Sequence, residues 1–220
     1  GTRRIGHGGT LDPMATGVLP VFVGRATRAV EFAAEGEKKY LAGLRLGTVT
    51  DTQDTTGTVL ETHPVTGDRA ALEAVLSQFR GEILQVPPMY SAIKRQGQKL
   101  YELARRGQEV ARDPRPITIH ALEVTSQVSP TDYLLRVVCS KGTYVRTLCH
   151  DIGQALGCGG TMFSLRRTQA AGFSLDQAVT LDQVQATDDP AALLLPALPA
   201  TPSSCSSPPQ RRKRCATAPL

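Results

Sequence analysis

The chain is 220 residues long, enough to bury a proper core in one domain or two. Its 25 basic and 20 acidic side chains leave a net charge of +5, which suits a polyanionic partner only mildly; four of the positive charges stand together in Arg211-Arg212-Lys213-Arg214. No apolar stretch approaches a membrane span, and the five cysteines, Cys139, Cys149, Cys158, Cys205 and Cys215, show no CxxC spacing and no histidine cluster, which argues against a zinc or iron–sulfur centre.

The first informative segment is Gly6-His7-Gly8-Gly9-Thr10-Leu11-Asp12-Pro13. It sets one carboxylate among glycines that let backbone approach a ligand closely, with Pro13 fixing the chain after it. Val18, Leu19, Val21, Phe22 and Val23 then read as a buried strand. On these residues alone Asp12 either caps a turn, as Asp-Pro dipeptides do, or has a chemical task. Next, Tyr40, Ala42, Leu44 and Leu46 alternate with Leu41, Gly43 and Arg45 in strand periodicity. The polar run Thr50-Asp51-Thr52-Gln53-Asp54-Thr55-Thr56-Gly57 offers two carboxylates but reads as a turn with local hydrogen bonds, so no metal is assigned to it.

Helical spacing follows at Leu72, Val75, Leu76 and Phe79, closed by Gly81. Lys94, Arg95, Lys99, Arg105, Arg106 and Arg112 then share one segment with Tyr90 and Tyr101, by default a solvated face. Tyr133, Leu135, Val137 and Cys139 give a second strand, and Val145, Leu148, Cys149, Ile152 and Leu156 a second amphipathic helix closed by Gly157. Cys139 and Cys149 fall on core positions. From Asp188 the chain turns Pro- and Ser-rich and then basic, the composition of a disordered tail. Strands and helices intersperse without a regular βαβ repeat, so the predicted fold class is α+β: a mixed, mainly antiparallel sheet, helices packed on it, and a central cleft.

Several separated blocks resemble one family. His7 through Pro20 with Gly24 and Thr27, Lys38-Lys39-Tyr40, Leu46-Gly47-Thr48, Val86 through Lys94, Leu100-Tyr101-Glu102, Arg115-Pro116-Ile117, Cys139 through Thr147, Asp151-Ile152-Gly153 and Leu165-Arg166-Arg167 are similar to the bacterial tRNA pseudouridine-55 synthases, the TruB family of pseudouridine synthases. The resemblance covers most of the chain between Gly6 and Ala186. It implies a pseudouridine synthase fold and isomerisation of the T-loop uridine of tRNA, with no cofactor and no metal.

Residue by residue, the resemblance makes Asp12 the catalytic nucleophile, attacking either the sugar or the base ring. Tyr40 matches the active-site tyrosine, whose ring would stack on the flipped uracil and whose hydroxyl would assist removal of the C5 proton. Arg146 matches the arginine that pairs with the catalytic aspartate through a planar, two-pronged contact. His7 corresponds to a histidine that helps extract the target nucleotide, and Leu165 to an apolar pocket residue, with a plain core leucine as its alternative. Tyr144 and Lys94 complete the expected substrate-binding set. Beside such a site the basic segment becomes a phosphate-contacting surface.

Relative to the family, the sequence opens almost on top of the first motif. Residues 1–187 are therefore expected to form an N-terminally shortened catalytic domain, and 188–220 a tail unlike an RNA-binding domain. The expected partner is the T arm of tRNA, met by a cytoplasmic monomer without a membrane or metal. The alternatives are a tRNA-binding protein of the same fold without turnover, and a base-excising glycosylase, which would release free uracil.

Overall fold

The computed structural model describes residues 3–95 and 97–195. The strands and helices in chain order are β1 (Ile5–His7), β2 (Thr16–Gly17), β3 (Val21–Val23), α1 (Val30–Glu35), β4 (Lys38–Leu46), β5 (Thr48–Thr50), β6 (Val59–Thr62), α2 (Arg69–Leu76), β7 (Gly81–Gln85), β8 (Lys94–Arg95), β9 (Gln98–Lys99), α3 (Leu100–Ala104), β10 (Arg115–Gln127), β11 (Asp132–Cys139), α4 (Val145–Ala155), β12 (Gly160–Ala170), β13 (Phe173–Ser174) and α5 (Leu181–Ala186). They fall into two units divided between Ala178 and Val179.

The first unit is built on a sheet in the order β13-β12-β4-β11-β10-β7, antiparallel along that path, with the short β2 added to β12 in parallel. This is the α+β, mainly antiparallel architecture expected. β4 and β11 pair over eight positions from Asp132 opposite Arg45 to Cys139 opposite Lys38. On β4 the alternating set Tyr40, Ala42, Leu44 and Leu46 is buried, and on β11 Tyr133, Leu135, Val137 and Cys139 are fully enclosed. Central strands give up both faces to packing, which is why Gly43 and Val138 are buried as well.

α4 supplies Leu148, Cys149 and Ile152 to the same core. It lies against β12 with nothing but main chain between them: a Cβ on Gly153 would fall 2.1 Å from the Gly160 nitrogen. Gly157 ends the helix in the left-handed conformation at φ 72°. α2 begins where Asp68 accepts a hydrogen bond from the Ala71 amide at 2.9 Å and buries Leu72 and Leu76.

One expectation fails. Residues 18–23 do not form a buried strand; only Val21–Val23 pair, with Ile5–His7, and Leu19 and Val21 are exposed. Pro20 lacks the amide a longer ladder needs, and a two-stranded ribbon off the main sheet buries little of either face.

In the second unit, α5 is capped reciprocally by Thr180 and Gln183, and a turn of 3-10 helix at Pro190–Leu193 follows, capped by Asp189. The Ser/Pro-rich stretch and basic run of the tail, with Cys205 and Cys215, lie outside the described residues. No helix among the described residues is long and apolar enough to cross a membrane.

Candidate active site

The segment between β1 and β3 carries Asp12. Gly9 and Gly17 adopt positive φ (123° and 104°), which bends the chain tightly enough to hold Asp12 next to the sheet. The Asp12 carboxylate is partly exposed, 27% by side chain, and faces Arg146 at the start of α4, 134 positions away. Nε of Arg146 donates to one carboxylate oxygen at 3.1 Å and Nη2 to the other at 2.9 Å, the two-pronged contact that fixes both groups in one plane.

Arg146 is itself only 5% exposed, and it makes two further bonds: Nη1 donates to the Thr52 carbonyl at 3.0 Å and Nη2 to the Tyr90 carbonyl at 2.8 Å. A second, buried carboxylate, Asp54, stands 3.7 Å from Nε. The polar run that holds Asp54 is the turn expected. Its Oδ1 accepts from the Thr52 and Thr56 hydroxyls and from the Thr56 amide, while Asp51 accepts from the Thr58 amide. Among the described residues no group of three or more metal-ligating side chains converges.

Long-range backbone bonds fix this bed. Gln53, strained at φ 63°, accepts a bond from the Met162 amide through its carbonyl and one from the Thr147 hydroxyl through its side chain. At the end of β7, the buried Gln85 brackets Tyr144, accepting from its amide at 2.8 Å and donating to its carbonyl at 3.1 Å, so the residue that caps the start of α4 is fixed in place.

Tyr40 lies on β4 directly opposite Arg167 of β12 and is 8% exposed; burial pushes its phenol up to about 12, opposed by the neighbouring Arg167 guanidinium. Burial also raises the Tyr144 phenol. Leu165 is opposite Ala42, buried, and packed in the main core, the place a core leucine would take. His7 is exposed on β1. Lys94 is exposed in the β8–β9 hairpin, and among the described residues no hydrogen bond or ion pair ties it to the Asp12–Arg146 pair.

Sequence reasoning missed Asp54 as a neighbour of Arg146, the Gln53 and Gln85 braces, and above all Arg167. That arginine is 1% exposed and donates to three main-chain carbonyls of the Asp12 segment. Its signal was strand parity: it sits two positions after Leu165, on the inward face, where an arginine must find partners.

Two family models match the chain. The TruB family pseudouridylate synthase N-terminal domain matches residues 1–145, and the tRNA pseudouridylate synthase B C-terminal domain matches residues 146–197. The chain is 53% identical over 190 residues to the tRNA pseudouridine synthase B of Azoarcus sp. (strain BH72), covering 86% of this chain and 62% of that protein. To the same-named protein of Alkaliphilus oremlandii (strain OhILAs) it is 47% identical over 194 residues, covering 88% and 64%. It thus spans about three fifths of the length of these curated relatives. Among solved structures, a Cbf5-Nop10-Gar1 complex aligns with a TM-score of 0.63 at 33% identity, over 83% of this chain and 45% of that one. A chain of an H/ACA RNP bound to a substrate RNA containing 2'-deoxyuridine aligns at 0.59 and 30%, over 83% and 44%. With its two-pronged Asp12–Arg146 pair set on an antiparallel sheet, and with a family model covering well over half its length, the chain belongs to the TruB family of pseudouridylate synthases.

Proposed function

We propose that this chain converts a uridine of tRNA to pseudouridine, with Asp12 as the nucleophile and the T-loop uridine, U55, as the target. The observation that carries the reading is the Asp12 carboxylate, accessible on one side and gripped on the other by both prongs of a buried arginine. A carboxylate held this way is aimed, and it can attack covalently and later leave. The names of the relatives support tRNA as the substrate.

The reaction is an isomerisation. The bond between ribose C1′ and base N1 breaks, the base turns while Asp12 holds one fragment, and C5 bonds to C1′. The C5 proton leaves and N1 regains a proton, so atoms and electrons balance without a redox partner. Tyr40, at the wall of the site, is our candidate for stacking on the uracil and for moving the C5 proton; its raised phenol is protonated at neutral pH and would act as a relay rather than as a standing base. Leu165 lines the apolar side of the same strand pair, and Tyr144 flanks Arg146. His7, exposed on its ribbon, is our candidate for displacing the base from the T loop, at a cost of about a few kcal/mol. Lys94 and its basic neighbours would contact phosphates. We propose that the chain acts as a monomer in the cytoplasm.

The test is pseudouridine formation in an unmodified tRNA transcript, mapped by carbodiimide labelling and primer extension. A new stop in the T loop is expected with the wild-type chain, and its loss, by at least about 1,000-fold in rate, with Asp12→Asn. Wild-type turnover by Asp12→Asn would remove the nucleophile assignment, and tRNA binding without any stop would favour a binder of the same fold.

A further inference from the structure

We propose that Arg167 is a positioning residue that sets the separation between Asp12 and Tyr40. The inference rests on the reading of Asp12 as the nucleophile. Nε of Arg167 donates to the Val18 carbonyl at 2.7 Å, Nη2 to the Gly9 carbonyl at 3.0 Å and Nη1 to the Thr10 carbonyl at 3.3 Å. Those carbonyls flank Asp12 on both sides, so one planar group gathers the two arms of the segment that presents it.

The main chain completes the seam. The Val18 amide donates to the Arg167 carbonyl at 2.9 Å, and Thr16 and Gly17 lie in register with Arg166 and Arg167. A Cβ on Gly17 would fall 2.1 Å from the Arg167 carbonyl oxygen, so the approach admits only glycine. Across β12 and β4, Arg167 is the register partner of Tyr40, and such neighbours stand about 5 Å apart at Cβ. Arg146 therefore aims the carboxylate, and Arg167 fixes the backbone that carries it against the strand that carries the tyrosine.

Desolvating a guanidinium is costly unless its donors are met, and an apolar side chain would fill the space without that cost. What only arginine supplies is a rigid fork whose donors reach three carbonyls at once. Lysine keeps the charge and presents one nitrogen.

With an unmodified tRNA transcript and saturating enzyme, Arg167→Lys should lower the single-turnover rate constant by about 30-fold, because a displacement of about 1 Å at a reacting group has an effect of this order. That constant does not depend on the fraction of protein that is folded. The Kd for tRNA should stay within about 2-fold, since Arg167 is buried and its fork is turned to main-chain carbonyls rather than to the surface. Amide exchange in the free protein should accelerate at Gly8 and Val18 and stay unchanged in β4 and β11. An unchanged rate constant, a rate loss matched by lost tRNA affinity, or faster exchange throughout β4 would overturn the inference. Gly17→Ala opens the same seam from the other side and carries the same expectations where Arg167→Lys fails to fold. If the wild-type chain forms no pseudouridine, the functional reading fails instead; exchange at Gly8 and Val18 then still decides whether Arg167 gathers the segment.

Discussion

The bed around Asp12 and the arm formed by β8, β9 and α3 use positive charge in opposite ways. In the bed, Arg146 and Arg167 are buried and every guanidinium nitrogen donates to a carboxylate or a main-chain carbonyl. On the arm, Lys94, Arg95, Arg105 and Arg106 are exposed, and the contacts are soft ones: Lys99 and Arg105 each lie 5.4 Å from the Tyr101 ring. On the proposed reading, charge that aims a reacting group is immobilised by long-range bonds, whereas charge that follows a phosphate backbone keeps its rotamer freedom. Mutation should therefore act on rate in the bed and on affinity and salt dependence in the arm.

The sharpest break of that contrast is Arg146→Lys. Lysine retains the charge but loses the fork, so turnover should fall by about 100-fold or more with tRNA affinity largely kept; an affinity loss of the same size would erase the distinction. Next in size is Gly153→Ala, which forces a methyl into the Gly160 main chain and pushes α4, with Arg146 at its start, off β12. A loss of about 1–3 kcal/mol in denaturant unfolding is expected, together with slower turnover.

On the arm, replacing Lys94 and Arg95 together by Ala should weaken tRNA binding several-fold and reduce the slope of log Kd against log salt by about 1.5, with the single-turnover rate constant unchanged. The smallest effect tests whether burial around α4 penalises charge generally. Burial pushes the Asp151 carboxyl from 3.8 up to about 6. Because the folded state holds this proton more tightly, the stabilising contribution is fully present below the unfolded value and is lost as pH rises through about 6. Asp151→Asn should then raise stability near pH 7.5 by about 1 kcal/mol, reduced for partial exposure, and the gain should vanish below about pH 4.

Much of the sheet was legible beforehand because β4, β11, α2 and α4 repeat their apolar residues with the period of their own geometry. Residues 18–23 were misread because an apolar run carries no information about whether a partner sheet exists to cover it. At the site, composition and spacing left Asp12 open between a turn cap and a chemical group, and only the resemblance paired it with Arg146. Asp54 was legible as part of a turn but not as a neighbour of Arg146, since that proximity comes from the Thr52 carbonyl meeting the guanidinium 94 positions away. Gln85 and Gln53 act through bonds to distant backbone, which leave no local pattern.

The parallel seam between β2 and β12 has a consequence for the order in which the molecule comes together. Val18 and Arg167 are 149 positions apart, and Asp12 and Arg146 are 134. Contacts of such separation close large loops before they return any energy, which slows folding. A chain emerging from the ribosome presents Asp12 early and Arg146 late, and the segment holding the carboxylate, closed locally by β1 and β3, has no anchor on the main sheet until β12 has been made and has zipped onto β4. The Asp12–Arg146 pair thus forms only when the sheet is nearly closed, and its presence serves as a report that folding of the unit is complete.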